Sequence, residues 1–419
     1  MGRALIGQTW AAIDIGTTKI CALIAGFDSK GGIEILGMGQ HPSYGLKRGV
    51  VVDIATTVDS IKKAVRNAQT MAGIKLESAF VGISGGHIQS FNSHGVVAIK
   101  RGDVSQDDID RVIDAARAIP IPKDREILHV LPQYFKVDGG DFVKESMGMC
   151  GVRLEAQVHI ITGAISSANN IIRCCEQAGV RVEDIVLEQL ASAEAVLTRS
   201  ERDLGVAILD IGGGTSDFAI YKDGRIRHSK VIPVAGQHFT NDLAIGLHIP
   251  QRSAEELKRK YGFVAQERYF DLDESDVVVD LDYEGGKKSI DTYRLYEILN
   301  PRACEILEMI LDEVLEFRLK PFMPYGLVLT GGGALLSGMC DLAAEIFGMP
   351  VRVGMPQSVI GGEQASTIPD MLKSPIYATG YGLLAYGIAG KDLSLAKSVH
   401  DPLFTKVFKR MKNWIYDFI

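Results

Sequence analysis

The sequence predicts an α/β protein built from two similar halves, on three observations. A glycine-bearing strand pair near the N-terminus recurs in the middle of the chain. A third glycine run follows a later strand, and strand and helix spacings alternate between these points. The repeat is plainest at 209–217, L-D-I-G-G-G-T-S-D, with an apolar strand before it (206–209) and another after it (218–221). One glycine usually suffices for a turn. Three in succession, Gly212, Gly213 and Gly214, strip every Cβ from one side of the backbone, so a ligand can approach the N–H groups. Such a nest suits an anion, and flanking carboxylates suit the anion's metal counter-ion.

The earlier copy is a strand (10–15) that runs into Gly16-Thr17-Thr18-Lys19 and a second strand (20–25). Asp14-Ile15-Gly16 and Asp210-Ile211-Gly212 are the same device. Two such hairpins facing a cleft grip a polyphosphate from both sides. Asp14 and Asp210 would hold Mg2+ through water, Thr215 would join the phosphate loop, and Lys19 would reach the phosphates. A hairpin that merely turns accounts for one copy but not for two.

Length and composition bound the rest. The chain has 419 residues, 46% of them hydrophobic, enough for two or more domains with proper cores. A formal charge of −7 argues against bulk nucleic-acid binding, which needs basic excess. Six cysteines without C-x-x-C spacing and nine histidines without H-E-x-x-H argue against zinc and disulfide frameworks and favour a reducing cytosol. The N-terminus carries no charged-then-apolar signal pattern, and no apolar run is long enough to span a membrane.

The remaining elements follow in order. Residues 58–72 carry apolar side chains at helical spacing, and 80–84 form a buried strand. From about 85 to 161 a separate α+β piece interrupts the repeat. It has strands at 96–99, 127–131, 134–137 and 157–161, and a helix beginning at Ser105-Gln106-Asp107-Asp108. A helix (166–178), a strand (182–187) and the small-residue helix 188–197 return to the first half, and the polar stretch 199–204 joins the halves. In the second half, helices are expected at 239–247 and 253–261, and another from Pro301 to 317, since proline suits a first turn. A strand (325–330) empties into Gly331-Gly332-Gly333 at a helix start, a third place where backbone can meet a ligand. Residues 374–387 are again small and helical, and can cross 188–197 at close range as a hinge, although ordinary core packing gives the same pattern.

D-I-G-T-T-K at Asp14, D-I-G-G-G-T at Asp210, G-G-G at Gly331 and the two small-residue helices together resemble the five motifs of the actin/Hsp70/sugar-kinase ATPases. They correspond to phosphate 1, phosphate 2, adenosine, connect 1 and connect 2, over about residues 11–390. The resemblance implies an actin-like (ribonuclease H-like) duplicated two-domain fold that binds ATP and Mg2+. It assigns Asp14, Gly16, Thr17, Thr18, Lys19, Asp210, Gly212, Gly213, Gly214, Thr215 and Gly236 to the phosphates and metal. Glu255 and Lys258 would meet ribose and adenine, and Gly331, Gly332 and Gly333 would face the adenosine. Relatives that hydrolyse ATP often carry Glu-Pro at the head of connect 1. This chain has Glu188-Gln189, so Glu188 would position water while turnover stays slow.

Within that superfamily the insertion resembles the FtsA family of bacterial cell-division proteins, through I-P-x-x-R-E-I-L-H-V-L-P-Q (121–133), G-M-C-G-V-R-L-E (148–155) and H-I-I-T-G (159–163). The likeness divides the chain into subdomains 1A (1–84 and 163–204), 1C (85–162), 2A (205–236 and 326–373) and 2B (237–325). A return to 1A (374–389), a linker (390–402) and a C-terminal amphipathic helix (403–419) complete it. It implies self-polymerisation with contacts from 1C, and binding of the C-terminal peptide of FtsZ through 2B. Arg302 would be the basic contact, and Lys287 and Lys288 weaker ones. Downstream division proteins are further implied partners. A pilus adaptor resembling PilM, or a phosphotransferase resembling sugar kinases, shares the motifs but leaves the tail without a purpose.

That tail is legible by itself. Residues 390–402 lose the apolar pattern, a tether spanning at most about 43 Å. On a helical wheel Phe404, Val407, Phe408, Met411, Trp414, Ile415 and Phe418 fall within an arc of roughly 160°. Lys406, Lys409, Arg410 and Lys412 lie opposite, against the single acid Asp417. A basic polar face and an aromatic apolar face, on an otherwise acidic protein, fit a helix lying in an anionic membrane interface. The expected place is therefore the cytoplasmic face of the cell membrane, at the division site.

Overall fold

The computed structural model describes residues 9–27, 33–267, 276–280, 286–357 and 368–395. The expected amphipathic helix at 403–419, with its membrane-facing residues, lies outside the described residues.

The first lobe opens with strands β1 (Trp10–Ile15), β2 (Lys19–Phe27) and β3 (Ile33–Pro42). A two-strand arch, β4 (Leu46–Lys47) and β5 (Val50–Val51), leads to helix α1 (Ile54–Ala72) and strand β6 (Ser78–Ile83). The insertion supplies β7 (Gln89–Ala98), α2 (Gln106–Arg117), β8 (Arg125–Val137) and β9 (Arg153–Ala164). The chain returns through α3 (Ile165–Gln177), β10 (Arg181–Leu187), α4 (Glu188–Val196) and α5 (Arg199–Leu204). The second lobe runs β11 (Val206–Ile211), β12 (Ser216–Lys222), β13 (Arg225–Ile232), α6 (Gly236–Leu247), α7 (Gln251–Tyr261), β14 (Asp276–Asp280), β15 (Lys287–Asp291) and α8 (Thr292–Glu316). Then come β16 (Leu327–Thr330), a 3-10 turn (Gly332–Leu335), α9 (Met339–Phe347), β17 (Val351–Val353) and α10 (Ala378–Leu395).

The duplication is exact in topology. One sheet has the order β10-β6-β1-β2-β3 and the other β17-β16-β11-β12-β13, each an antiparallel three-strand meander extended by two parallel strands. Every residue of β1 and β11 is buried, as expected of central strands covered by helices on both faces. The insertion is a three-stranded sheet, β7-β9-β8, with α2 on one face and a core of its own around Ile109, Val112, Phe135, Leu154 and Ile160. Ser105 caps α2 in a reciprocal box with Asp108, as the sequence indicated.

Three local expectations are corrected and a fourth is made more specific. Helix α8 begins at Thr292 rather than Pro301, capped by Asp291, which accepts from the Tyr293 N–H at 2.8 Å. Leu295, Leu299, Ala303, Ile306 and Ile310 are all fully buried on one stripe, and their burial outweighs the roughly 3 kcal/mol that an internal proline costs. The glycines at 331–333 open a 3-10 turn, and the α-helix beyond starts only at Met339. The polar join 199–204 is itself a short helix, with Thr198 and Glu201 forming a capping box. Helix α10 also continues through Leu395, into the segment expected as tether.

Candidate functional site

The tips of the two hairpins meet. A Cβ built on Gly214 would lie 2.3 Å from Thr17 Oγ1, and one on Gly213 would lie 2.4 Å from Thr18 Cγ2. Any side chain at either position would therefore wedge the lobes apart, which is why this loop needs glycine rather than turn chemistry alone. The second loop is held from behind: Gly236 N–H donates to the Gly212 carbonyl at 3.0 Å, and Gln237 N–H to the Gly213 carbonyl at 2.7 Å. That pins the start of α6 under the loop.

Beneath the tips the strands place charge in the protein interior. Asp14 is 5% exposed and accepts from Lys19 Nζ at 3.0 Å. Burial works against the Lys19 ammonium, but neighbouring negative charge, Asp14 foremost and Asp210 a smaller part, more than reverses it, so the lysine stays charged well above its usual range. Asp210 accepts from two hydroxyls, Ser192 on α4 and Thr379 on α10, the latter at 3.0 Å. Burial nevertheless raises its carboxyl above the usual carboxylate value.

Two residues outside the expected phosphate set matter as much. Asp217 pairs directly with Asp210 across the hairpin, and it accepts from the Ser84 hydroxyl of the opposite lobe at 2.5 Å. Opposed like charges destabilise a strand pair. Burial, and then Asp210, push the Asp217 carboxyl up to about 7. The signal was present in the sequence: in a hairpin D-I-G-G-G-T-S-D closed by a four-residue turn, the two aspartates fall opposite each other. Ser84 carried no such signal, because only the packing of the lobes brings it there.

Glu188 heads α4 with its carboxylate free of hydrogen bonds among the described residues. Burial, followed by repulsion from Asp217, Asp14 and Asp210, holds its carboxyl well above the usual range. The next residue, Gln189, is fully buried, and neither end of its amide finds a partner among the described residues. Glu188 thus stands in the same electrostatic field as the three aspartates.

The expected adenosine side is assembled from three segments. Gly331, at φ +79°, donates its N–H to the Pro375 carbonyl at 3.2 Å, and a Cβ there would sit 2.2 Å from Asp210 Oδ1. Gly332 is open, with nothing nearer its Cβ position than Ile376 Cγ2 at 3.8 Å, whereas Gly333 packs on Ile211. Glu255 and Lys258 form an ion pair of 2.6 Å on α7. Lys258 Nζ also donates to the Gly236 carbonyl at 3.0 Å and to Thr240 Oγ1 at 2.9 Å. Burial lowers the Lys258 ammonium despite Glu255, so a second anion there would be welcome. Contacts thus connect Asp14, Lys19, the glycine loops, Gly236, Glu255 and Lys258 into one neighbourhood where the two hairpins meet.

Comparison with known proteins decides the family. A family model described as cell division protein FtsA matches residues 207–382, and one described as the SHS2 domain inserted in FTSA matches residues 85–162. A cell division protein FtsA from Pseudomonas aeruginosa is 43% identical over 99% of both chains. Its counterpart from Escherichia coli K12 is 35% identical over 96% of both. The chain belongs to the FtsA family of cell division proteins. This FtsA-family chain also shares the actin-like fold of solved structures of low identity. The PilM-PilN type IV pilus biogenesis complex superposes with a TM-score of 0.65 at 17% identity, over 90% of this chain and 98% of that one. MreB5 of Spiroplasma citri bound to ADP gives 0.55 at 17%, over 92% and 97%.

The remaining residues that the FtsA resemblance singled out have partners of their own or fall outside the described side chains. Arg302 is already paired, as a fork on Asp242 of α6 at 2.6 and 3.1 Å and with Glu305 one turn on. Lys288 is half-buried and donates to the Leu247 carbonyl at 2.6 Å. Lys287 belongs to β15, and its side chain lies outside the described residues. Among the described residues no helix is long and apolar enough to cross a membrane.

Proposed function

We propose that this FtsA-family chain binds ATP with Mg2+ between its lobes, polymerises, and tethers FtsZ filaments to the cytoplasmic face of the cell membrane at the division site. Its partners are then the FtsZ C-terminal peptide, further copies of itself, anionic lipids and downstream division proteins. The observation that carries the nucleotide half is the meeting of two glycine loops from different lobes above a partly buried Asp14–Lys19 pair. The MreB5 neighbour, which shares this fold, was solved bound to ADP, and that supports the same choice.

The residues fit Mg2+. Asp14, Asp210, Asp217 and Glu188 repel one another around Lys19, and a divalent cation relieves that repulsion. Among the described residues no three His, Cys, Asp or Glu side chains converge on one point, so the ion would be held largely by phosphate oxygens and water. When bound, it would neutralise charge on the phosphates. Glu188, whose carboxyl holds its proton well above the usual range without the cation, is a weak candidate for ordering water. Phosphate release slower than roughly 1 per second is therefore expected, below dedicated phosphotransferases; faster turnover overturns this part.

The tail carries the membrane half. At about 1 kcal/mol for each basic residue, its four cations contribute roughly 4 kcal/mol of attraction to an anionic surface, before apolar burial is added. Co-sedimentation with anionic vesicles tests the whole reading. Deleting residues 403–419 should abolish binding of the chain, and of FtsZ with it, whereas unchanged binding refutes the tether. In the same assay Arg302→Glu should weaken capture of the FtsZ tail peptide several-fold while leaving the chain on the vesicles, since the fork on Asp242 must exchange for a partner's carboxylate.

A further inference from the structure

The arch between β3 and α1 contains a residue that its turn does not explain. Strands β4 and β5 pair with Lys47 opposite Val50, leaving Arg48 and Gly49 as a two-residue loop. Both have positive φ, +51° and +77°, which makes the loop a type I′ turn. The first position of that turn favours Asn, Asp or Gly, and a long side chain there is strained. Arginine in such a place breaks a local rule, and broken local rules concentrate at functional positions.

Its surroundings say which function. Gly49 N–H donates to Thr17 Oγ1 at 3.0 Å, fixing the arch to the first phosphate hairpin. The Cα of Arg48 lies 2.9 Å from the position a Cβ would take on Gly214, so the arch also touches the second hairpin. Arg48 thus stands where both loops meet. It is exposed, and its guanidinium makes no ion pair or hydrogen bond among the described residues. The nearby carboxylate of α6, Asp242, is occupied by Arg302. The guanidinium faces the second lobe: it is among the groups that lower the His238 imidazole, after burial.

We propose that Arg48 contacts the terminal phosphate of the bound nucleoside triphosphate, and so links the presence of that phosphate to closure of the lobes. This rests on the ATP reading above. Gly331 and Gly333 pack against Asp210 and Ile211, and the hairpin tips lie beyond these residues where the lobes touch, so a triphosphate anchored at the glycine run would carry its last phosphate toward the tips. An arginine can fork onto two phosphate oxygens, which a diphosphate ending one unit earlier does not offer it.

The test is calorimetric titration of the full chain with ATP and with ADP, both with Mg2+, for the parent, Arg48→Asn and Arg48→Lys. Asparagine suits the left-handed turn, so Arg48→Asn should melt at or above the parent temperature without nucleotide, and any loss of binding is then not a loss of fold. ATP affinity of Arg48→Asn should fall roughly 10- to 100-fold, the range for a charged hydrogen bond, while ADP affinity stays within about twofold. Arg48→Lys should fall between parent and Arg48→Asn for ATP. An unchanged ATP-to-ADP preference in Arg48→Asn, whether both affinities hold or both fall together, overturns the assignment. A parent chain that binds neither nucleotide overturns the ATP reading itself, and this inference with it.

Discussion

Gly382→Ala should cost about 3 kcal/mol or more and sharply lower the soluble yield, while Gly380→Ala, two residues earlier on the same helix, should be neutral or stabilising. Helix α10 crosses α4 so closely that a Cβ on Gly382 would lie 1.8 Å from the Ala191 carbonyl oxygen and 2.4 Å from its carbon. Backbone cannot step aside as a side-chain end can, so the helices must separate. Overpacking of a core usually costs 1–3 kcal/mol, about that or more against backbone, from a total of roughly 5–15. At Gly380 the nearest atom to a Cβ is Leu23 Cδ1 at 3.6 Å, an ordinary contact. There alanine gains about 0.5–1 kcal/mol of helix propensity. Denaturation of the two variants in parallel decides it, and equal midpoints would remove the close crossing from the account. Separation of these helices should also weaken nucleotide binding in whatever Gly382→Ala protein folds, because Ser192 and Thr379, one from each helix, both hold Asp210.

The ligand-free protein should lose stability as pH rises from about 4 to about 7, and Asp217→Asn should abolish much of that loss. The Asp217 carboxyl is pushed up to about 7 by burial and by Asp210, whereas in the unfolded chain it titrates near the usual 3.8. Between those values the native state holds a proton that the unfolded state has released, so unfolding gains with each unit of pH, and the loss is complete above about 7. Glu188, raised by the same causes, adds to the effect in the same direction. Asparagine at 217 keeps an acceptor for the Ser84 hydroxyl and removes the charge. Its melting temperature should therefore exceed that of the parent at pH 8, by an amount corresponding to about 1 kcal/mol or more, and approach it at pH 4. Mg2+ with ATP should narrow the gap at pH 8 by stabilising the parent more than the variant. A parent whose melting is flat between pH 5 and 8, with no gain in Asp217→Asn, would show that the four carboxylates do not repel in the folded chain.

Much of this protein was legible in one dimension. The strand–glycine–strand repeat at Asp14 and Asp210 implied two sheets of like topology, because a hairpin's pairing is decided by residues adjacent in sequence. The capping box at Ser105 and the tail's segregation of aromatic and basic residues are likewise local patterns, although the tail lies outside the described residues. The start of α8 was not legible in this way: proline is favoured at a first turn, and the core stripe that carries the helix through Pro301 exists only once Leu295 and Leu299 are buried.

The amino-acid sequence by itself picked out the two glycine hairpins with their aspartates and lysine, since those residues at those spacings have few other uses. Only the tertiary structure decided how they act together. It placed Ser84 against Asp217 from the opposite lobe, gathered Glu188 with three aspartates around one lysine, and set Arg48 on a strained turn where the two glycine loops meet. The physical reason is the same each time. Charge coupling and steric contact depend on distances between segments that are far apart along the chain, and those distances are fixed only when the two lobes pack against each other.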